Sequence, residues 1–145
     1  PTPVANLVGS MNYLLDTNII LELLLEQEQA DEVERLLRTV SPATLFLSEF
    51  TLFSLGIILF KHKRHDVFLQ MLKDLLGNGI QVIRIAESEM PNIVVIARQF
   101  SLDFDDAYQY AVAEKFNLGI LSFDHDFDRT KRGQKTPQEV LEEIL

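Results

Sequence analysis

The feature that most constrains this chain is a pair of short apolar runs that each meet an aspartate. Asn12-Tyr13-Leu14-Leu15 stops at Asp16, and Leu118 to Ser122 is followed two residues later by Asp124. Runs this short and this apolar read as strands buried on both faces. A carboxylate at the end of a buried strand needs a partner, because desolvation disfavours the charged form. These two segments therefore fix both a fold class and a candidate place for chemistry.

Between them the chain alternates. Ile19 to Leu25 and Asp31 to Val40 carry helical periodicity, with Val33, Leu36, Leu37 and Val40 on one stripe. Ser41-Pro42 introduces a second strand, Leu45-Phe46-Leu47. Helices are then expected over Glu49 to Lys63 and over His65 to Leu76, the latter closed by Gly77-Asn78-Gly79. Ile80 to Ile85 alternates as a third strand. Glu87 to Phe100 follows as a helix, with Pro91 tolerable only in its first turn. Asp105 or Asp106 is expected to cap a helix running to about Phe116, where Ala107, Tyr110 and Ala111 share a face. Thr136-Pro137-Gln138-Glu139 has the pattern of a capping box and opens a last helix, Pro137 to Leu145. Strands alternating with helices predict a parallel α/β sheet, whose crevice lies at the carboxyl ends of the strands.

The 145 residues suit one compact domain, with 47% hydrophobic and 24% charged residues as in ordinary soluble proteins. Residues 1–10 are expected to be foreign to the domain, which would begin at Met11. No apolar run is long enough to span a bilayer and no leader pattern is visible, so the cytoplasm is the expected compartment. The absence of cysteine excludes disulfides and thiolate metal sites. With 13 Lys and Arg against 22 Asp and Glu, the net charge of −9 argues against a protein that holds nucleic acid by bulk electrostatics. It does not exclude a nuclease whose metal ions reverse the sign locally.

Asp16 and Asp124 follow strands, and Asp106 begins the helix before the last one. Like charges gathered at one edge are costly unless a cation or a shared proton is present. Mg²⁺ or Mn²⁺ suits such oxygen ligands, and one or two ions could activate water against a phosphodiester. Taken singly, each residue has a plainer structural reading: Asp16 and Asp106 as helix caps, Asp124 to Asp128 as a solvated turn. Asp103, Asp105 and Asp128 are left with that reading. His62, His65 and His125 lack metal-ligand spacing.

Taken together, the motifs resemble a known family. Leu14-Leu15-Asp16-Thr17-Asn18 is similar to the opening motif of PIN domains, and Asp106-Ala107 with Ala111 and Ala113 to their central motif. Gly119-Ile120-Leu121-Ser122-Phe123-Asp124-His125-Asp126-Phe127 resembles the closing motif. The resemblance runs from Met11 onward and implies a three-layer α/β/α fold with a short, mainly parallel sheet. It implies Asp16, Asp106 and Asp124 as catalytic metal ligands and Asp126 as an auxiliary ligand. Thr17, Asn18 and Ser122 would shape the loops around them. It further implies a Mg²⁺- or Mn²⁺-dependent endoribonuclease of the VapC-like group, toxins of type II toxin–antitoxin pairs. Such proteins are held inactive by a small antitoxin and are commonly homodimers.

One position departs from the pattern. The family usually carries a Glu in the helix after the second strand, as Thr-x-x-Glu, and here Thr51-Leu52-Phe53-Ser54 puts Ser54 there. Glu49, at the carboxyl end of the strand, is the expected replacement as fourth catalytic carboxylate. Arg129, Lys131, Arg132 and Lys135 follow the closing motif, where cations could hold the phosphates flanking a scissile bond or simply line a charged loop. Lys61-His62-Lys63-Arg64-His65 reads as a solvated helix end. Ten phenylalanines and no tryptophan suit a packed core better than a base-stacking platform.

Two alternatives stand beside the ribonuclease. A PIN fold that no longer cuts and binds RNA or protein is favoured by Ser54 and the acidic balance. A phosphotransfer domain with an aspartate acceptor is disfavoured, since no second Asp lies two residues after Asp16.

Overall fold

The computed structural model describes residues 11–144; the expectations for residues 1–10 and for Leu145 lie outside them. The first strand, β1 (Tyr13–Leu15), runs into Asp16, whose side chain accepts the Thr17 N–H and so starts helix α1 (Thr17–Leu24) two residues earlier than its apolar periodicity suggests. Helix α2 (Ala30–Thr39) follows. The Ser41 hydroxyl caps a single 3₁₀ turn, Pro42–Thr44, that delivers the chain into β2 (Leu45–Ser48).

Ser48 caps α3 (Glu49–Lys61), and α4 (His65–Met71) continues into a π-helical turn over Leu72–Leu76. Only Gln81–Ile83 of the expected third strand pairs, as β3. A 3₁₀ turn, Glu87–Glu89, precedes α5 (Met90–Phe100), which keeps Pro91 in its first turn, where no intrahelical N–H is required. Helix α6 (Phe104–Phe116) takes Asp103 as its N-cap residue, correcting the expectation of Asp105 or Asp106. The backbone at Asp103 is extended, whereas Asp105 and Asp106 are already helical and place their carboxylates in the first turn. After β4 (Gly119–Leu121), a 3₁₀ turn at His125–Arg129 leads to α7 (Pro137–Ile144). Thr136 and Glu139 exchange the two hydrogen bonds of the expected capping box, at 2.9 and 3.2 Å.

The four strands are all parallel, in the order β3-β2-β1-β4. Successive residues of each strand face opposite layers. Tyr13, Leu15, Leu45, Leu47 and Leu121 pack with Ile19, Ile20, Val33, Leu36, Leu55 and Val140, burying α1, α2, α3, α4 and α7 on one face. Leu14 and Ile120 pack with Ile93, Ile96, Ala107, Ala111 and Phe127, burying α5 and α6 on the other. This is the three-layer α/β/α architecture with a short parallel sheet. Helix α6 is buried continuously from Asp106 to Ala113, and its alanines allow the close approach this requires.

Chain order and strand order part at one place. The chain steps outward from β1 to β2 to β3, then returns to lay β4 on the free side of β1. The loops after β1 and β4 therefore diverge and leave a crevice at the carboxyl ends of these two strands, the switch point where ligands bind in open α/β sheets. Among the described residues no helix is long and apolar enough to cross a membrane.

Candidate metal centre

Asp16 stands at that switch point. Its N–H extends the ladder onto Leu121 of β4 (2.9 Å), and its side chain is almost wholly buried. Three donors hold the carboxylate. Oδ1 accepts the Thr17 N–H (2.9 Å) and the Gln109 side-chain amide (3.0 Å), and Oδ2 accepts the Ser122 hydroxyl (2.8 Å). Burial pushes its pKa up; the bonds from Gln109, Ser122 and Thr17 oppose this, while the Asp124 charge adds to it.

Ser122, fully buried, ties the first and last loops together. Its oxygen accepts from the Asp124 N–H (2.9 Å) and from Asn18 Nδ2 (3.1 Å), and Asn18 Oδ1 in turn accepts the Phe123 N–H (3.1 Å). Asp124 then caps the 3₁₀ turn by accepting the Asp126 N–H (2.9 Å). Two residues apart across this turn, Asp124 and Asp126 point their carboxylates to the same place.

Asp106 meets them from α6. Asp106, Asp124 and Asp126 each offer a carboxylate oxygen, and all three oxygens lie within 4.8 Å of one another. The Asp106 carboxyl is pushed up to about 8 by burial first, then by the Asp105 charge, by a hydrogen bond with Asp126, and by the charges of Asp16 and Asp124. Without a cation, this corner holds a proton that an ordinary aspartate would have lost. The donor set is all hard oxygen, with negative charge in excess, and fits a divalent cation of the Mg²⁺ or Mn²⁺ type.

Of the four aspartates expected to bind metal, three converge in this way. Asp16 stands beside them and shares their electrostatics, with Oδ1 engaged by two donors and Oδ2 by the Ser122 hydroxyl alone. Glu49 behaves differently. It opens α3 at the carboxyl end of β2, but its carboxylate faces the Arg84 guanidinium (3.7 Å), which also binds Glu87 (2.7 Å), and it is not one of the three converging groups. Glu49, expected as the fourth carboxylate, thus faces the cation that directly follows β3. Ser54 is part-buried on α3.

The cations expected to meet phosphate divide. Arg129 donates to the Phe100 and Ser101 carbonyls at the end of α5 (2.9 and 3.0 Å) and lies 3.6 Å from Asp126. Arg132 donates to the Leu118 carbonyl (3.0 Å), and Lys135 pairs with Glu143 (2.6 Å). These three are engaged in closing the loop against the body of the domain. Lys131 is exposed.

One buried polar residue of the site escapes a reading by motif. Gln109 is 1% exposed, and the same amide that reaches Asp16 also donates to Thr51 Oγ1 (2.8 Å). Thr51 shares a further hydrogen bond with Thr17 (2.9 Å). The available signal is the lone Gln within the otherwise apolar run Ala107 to Ala113, since a buried amide requires partners.

Comparison with known proteins follows the same lines. A family model described as PIN domain matches residues 13–133. No curated protein matches the sequence. Among solved structures, a toxin–antitoxin complex from Klebsiella pneumoniae is 21% identical, with a TM-score of 0.70, covering 87% of this chain and 98% of that one. VapC20 of Mycobacterium tuberculosis, described as a sarcin–ricin-loop-cleaving toxin, is 18% identical, with a TM-score of 0.72 and coverages of 87% and 100%. VapBC2 of Rickettsia felis, bound to a promoter DNA fragment, is 16% identical, with a TM-score of 0.69 and coverages of 86% and 97%. At these identities the likeness is one of fold.

Proposed function

Since the chain belongs to the PIN-domain family, we propose that it is a Mg²⁺- or Mn²⁺-dependent endoribonuclease, the toxin of a cytoplasmic type II toxin–antitoxin pair. The observation that carries this reading is the convergence of Asp106, Asp124 and Asp126 at the β1–β4 switch point, beside the buried Asp16. Asp106, Asp124 and Asp126 would hold the ion, and Asp16 beside them would offer Oδ2, the less engaged of its oxygens. When bound, the ion would supply a water of lowered pKa and neutralise charge developing on the phosphodiester.

The chain's own residues prepare that corner. Ser122 orients Asp16 and the Asp124 backbone together, so that the first and last loops keep one geometry. Asp106, its carboxyl pushed up to about 8, would give up its proton on holding a cation. Lys131, exposed after the closing turn, is available to an RNA phosphate. A protein partner, whether an antitoxin or a second copy, is supported by the α3 surface, where Phe53, Ile57 and Phe60 are 59%, 70% and 52% exposed on one stripe.

The test is cleavage of a fluorogenic RNA with Mn²⁺, Mg²⁺ or EDTA, for the wild type and Asp106→Asn. Cleavage should require the ion and vanish in Asp106→Asn, whose melting temperature in EDTA should equal or exceed that of the wild type. Cleavage that persists in EDTA would overturn the metal dependence. The second reading, a PIN fold that binds without cutting, is favoured by the Glu49–Arg84 pairing and the serine at position 54. A wild type inert with every ion and RNA would select it.

A further inference from the structure

Gln109 occupies a position that a packing role does not explain. Its side chain is buried within an apolar helix run, and its oxygen Oε1 is buried with no hydrogen-bond partner. Leaving an acceptor in that state costs stability, and a leucine of similar volume would avoid the cost. What the amide does provide is a fixed donor. Nε2 reaches both Asp16 Oδ1 (3.0 Å) and Thr51 Oγ1 (2.8 Å), and Thr51 is itself held by Thr17 (2.9 Å). Helix α6 is thereby tied to α3, through Thr51, and to the cap of α1, through Asp16, by a single amide.

The consequence lies in how many acceptor sites Asp16 has left. A carboxylate oxygen offers about two lone-pair directions. Oδ1 spends both, on the Thr17 N–H and on Gln109. Oδ2 accepts only the Ser122 hydroxyl, which leaves it one direction open. We propose that Gln109 is a positioning residue for the metal centre: with Thr17 it saturates Oδ1, so that Asp16 presents Oδ2 alone, in one orientation, toward the cation. This rests on the metal-dependent reading above and assigns a role to a residue outside the motif aspartates. Groups that orient a ligating carboxylate in this way tune affinity without touching the ion.

The experiment measures Mn²⁺ affinity by calorimetry on the full chain, alongside the melting temperature in EDTA. Gln109→Leu removes the donor and the orphaned acceptor together. It should weaken Mn²⁺ binding by about ten- to a hundredfold, while the metal-free melting temperature changes little. Thr51→Val frees the Gln109 amide from its second anchor and should weaken Mn²⁺ in the same direction, by less, whereas Thr51→Ser should restore wild-type affinity. The Thr51 pair decides the matter if Gln109→Leu does not fold. Wild-type Mn²⁺ affinity in Gln109→Leu, or in Thr51→Val if Gln109→Leu does not fold, would overturn the positioning role and leave the metal-dependent reading intact. A wild type that binds no Mn²⁺ would overturn both.

Discussion

The Ser122 hydroxyl donates to Asp16 Oδ2 at 2.8 Å across the β1–β4 seam, 106 residues apart in sequence. The same oxygen accepts from the Asp124 N–H and from Asn18, so one small side chain sets the relative position of both motif loops. No other described residue holds Asp16 and Asp124 in this way.

Ser122→Ala leaves two part-buried donors, Asn18 Nδ2 and the Asp124 N–H, without this acceptor and takes one donor from a buried carboxylate. The expected cost is about 1–3 kcal/mol of unfolding free energy, read from urea denaturation at an unchanged m-value. A cost below about 0.5 kcal/mol, the scale of an ordinary surface change, would mean that the loops are held by other contacts.

Asp106 makes metal-free stability depend on pH. Its folded pKa, about 8, lies above the ordinary 3.8, so the folded state binds this proton more tightly than the unfolded chain. The stabilisation is complete below the ordinary value and is lost as pH rises through about 8. In EDTA the melting temperature should therefore fall between these two values, with a shallower slope in Asp106→Asn. Mg²⁺ should reverse the fall at the alkaline end by favouring the ionised form. A profile for Asp106→Asn as steep as that of the wild type would remove Asp106 as its source.

Glu49→Gln should change cleavage kcat/KM by less than about twofold, or roughly 0.4 kcal/mol. Its carboxylate is matched to Arg84 rather than to the converging aspartates. A loss of tenfold or more would return Glu49 to the metal centre and mean that the Arg84 pair opens when the ion binds.

Most of the fold was legible along the chain. Tyr13-Leu14-Leu15 and Leu118 to Leu121 are apolar because both faces of a parallel strand are covered, and that signal survives without any knowledge of the partners. Boundaries were less legible. Apolar periodicity starts α1 at Ile19, but the Asp16 cap starts it at Thr17, and capping depends on backbone geometry that periodicity does not report. Asp103 displaced Asp105 and Asp106 as the N-cap residue of α6 for the same reason.

The site divides along a similar line. Asp124 and Asp126 converge because they sit two residues apart on one tight turn, a local relationship the sequence by itself determines. That Asp106 joins them depends on α6 crossing the sheet beside the seam between β1 and β4, and so on tertiary structure. Glu49 faces Arg84 because β3 lies next to β2 and a cation directly follows it; no spacing between residues 49 and 84 encodes that neighbour. Gln109 is the clearest case. Its burial was readable from the apolar run around it, but its partners, Asp16 and Thr51, lie 93 and 58 residues away. Local pattern fixes which backbone groups are satisfied nearby, whereas long-range hydrogen bonds between side chains are chosen only when packed layers bring the chain's distant parts together.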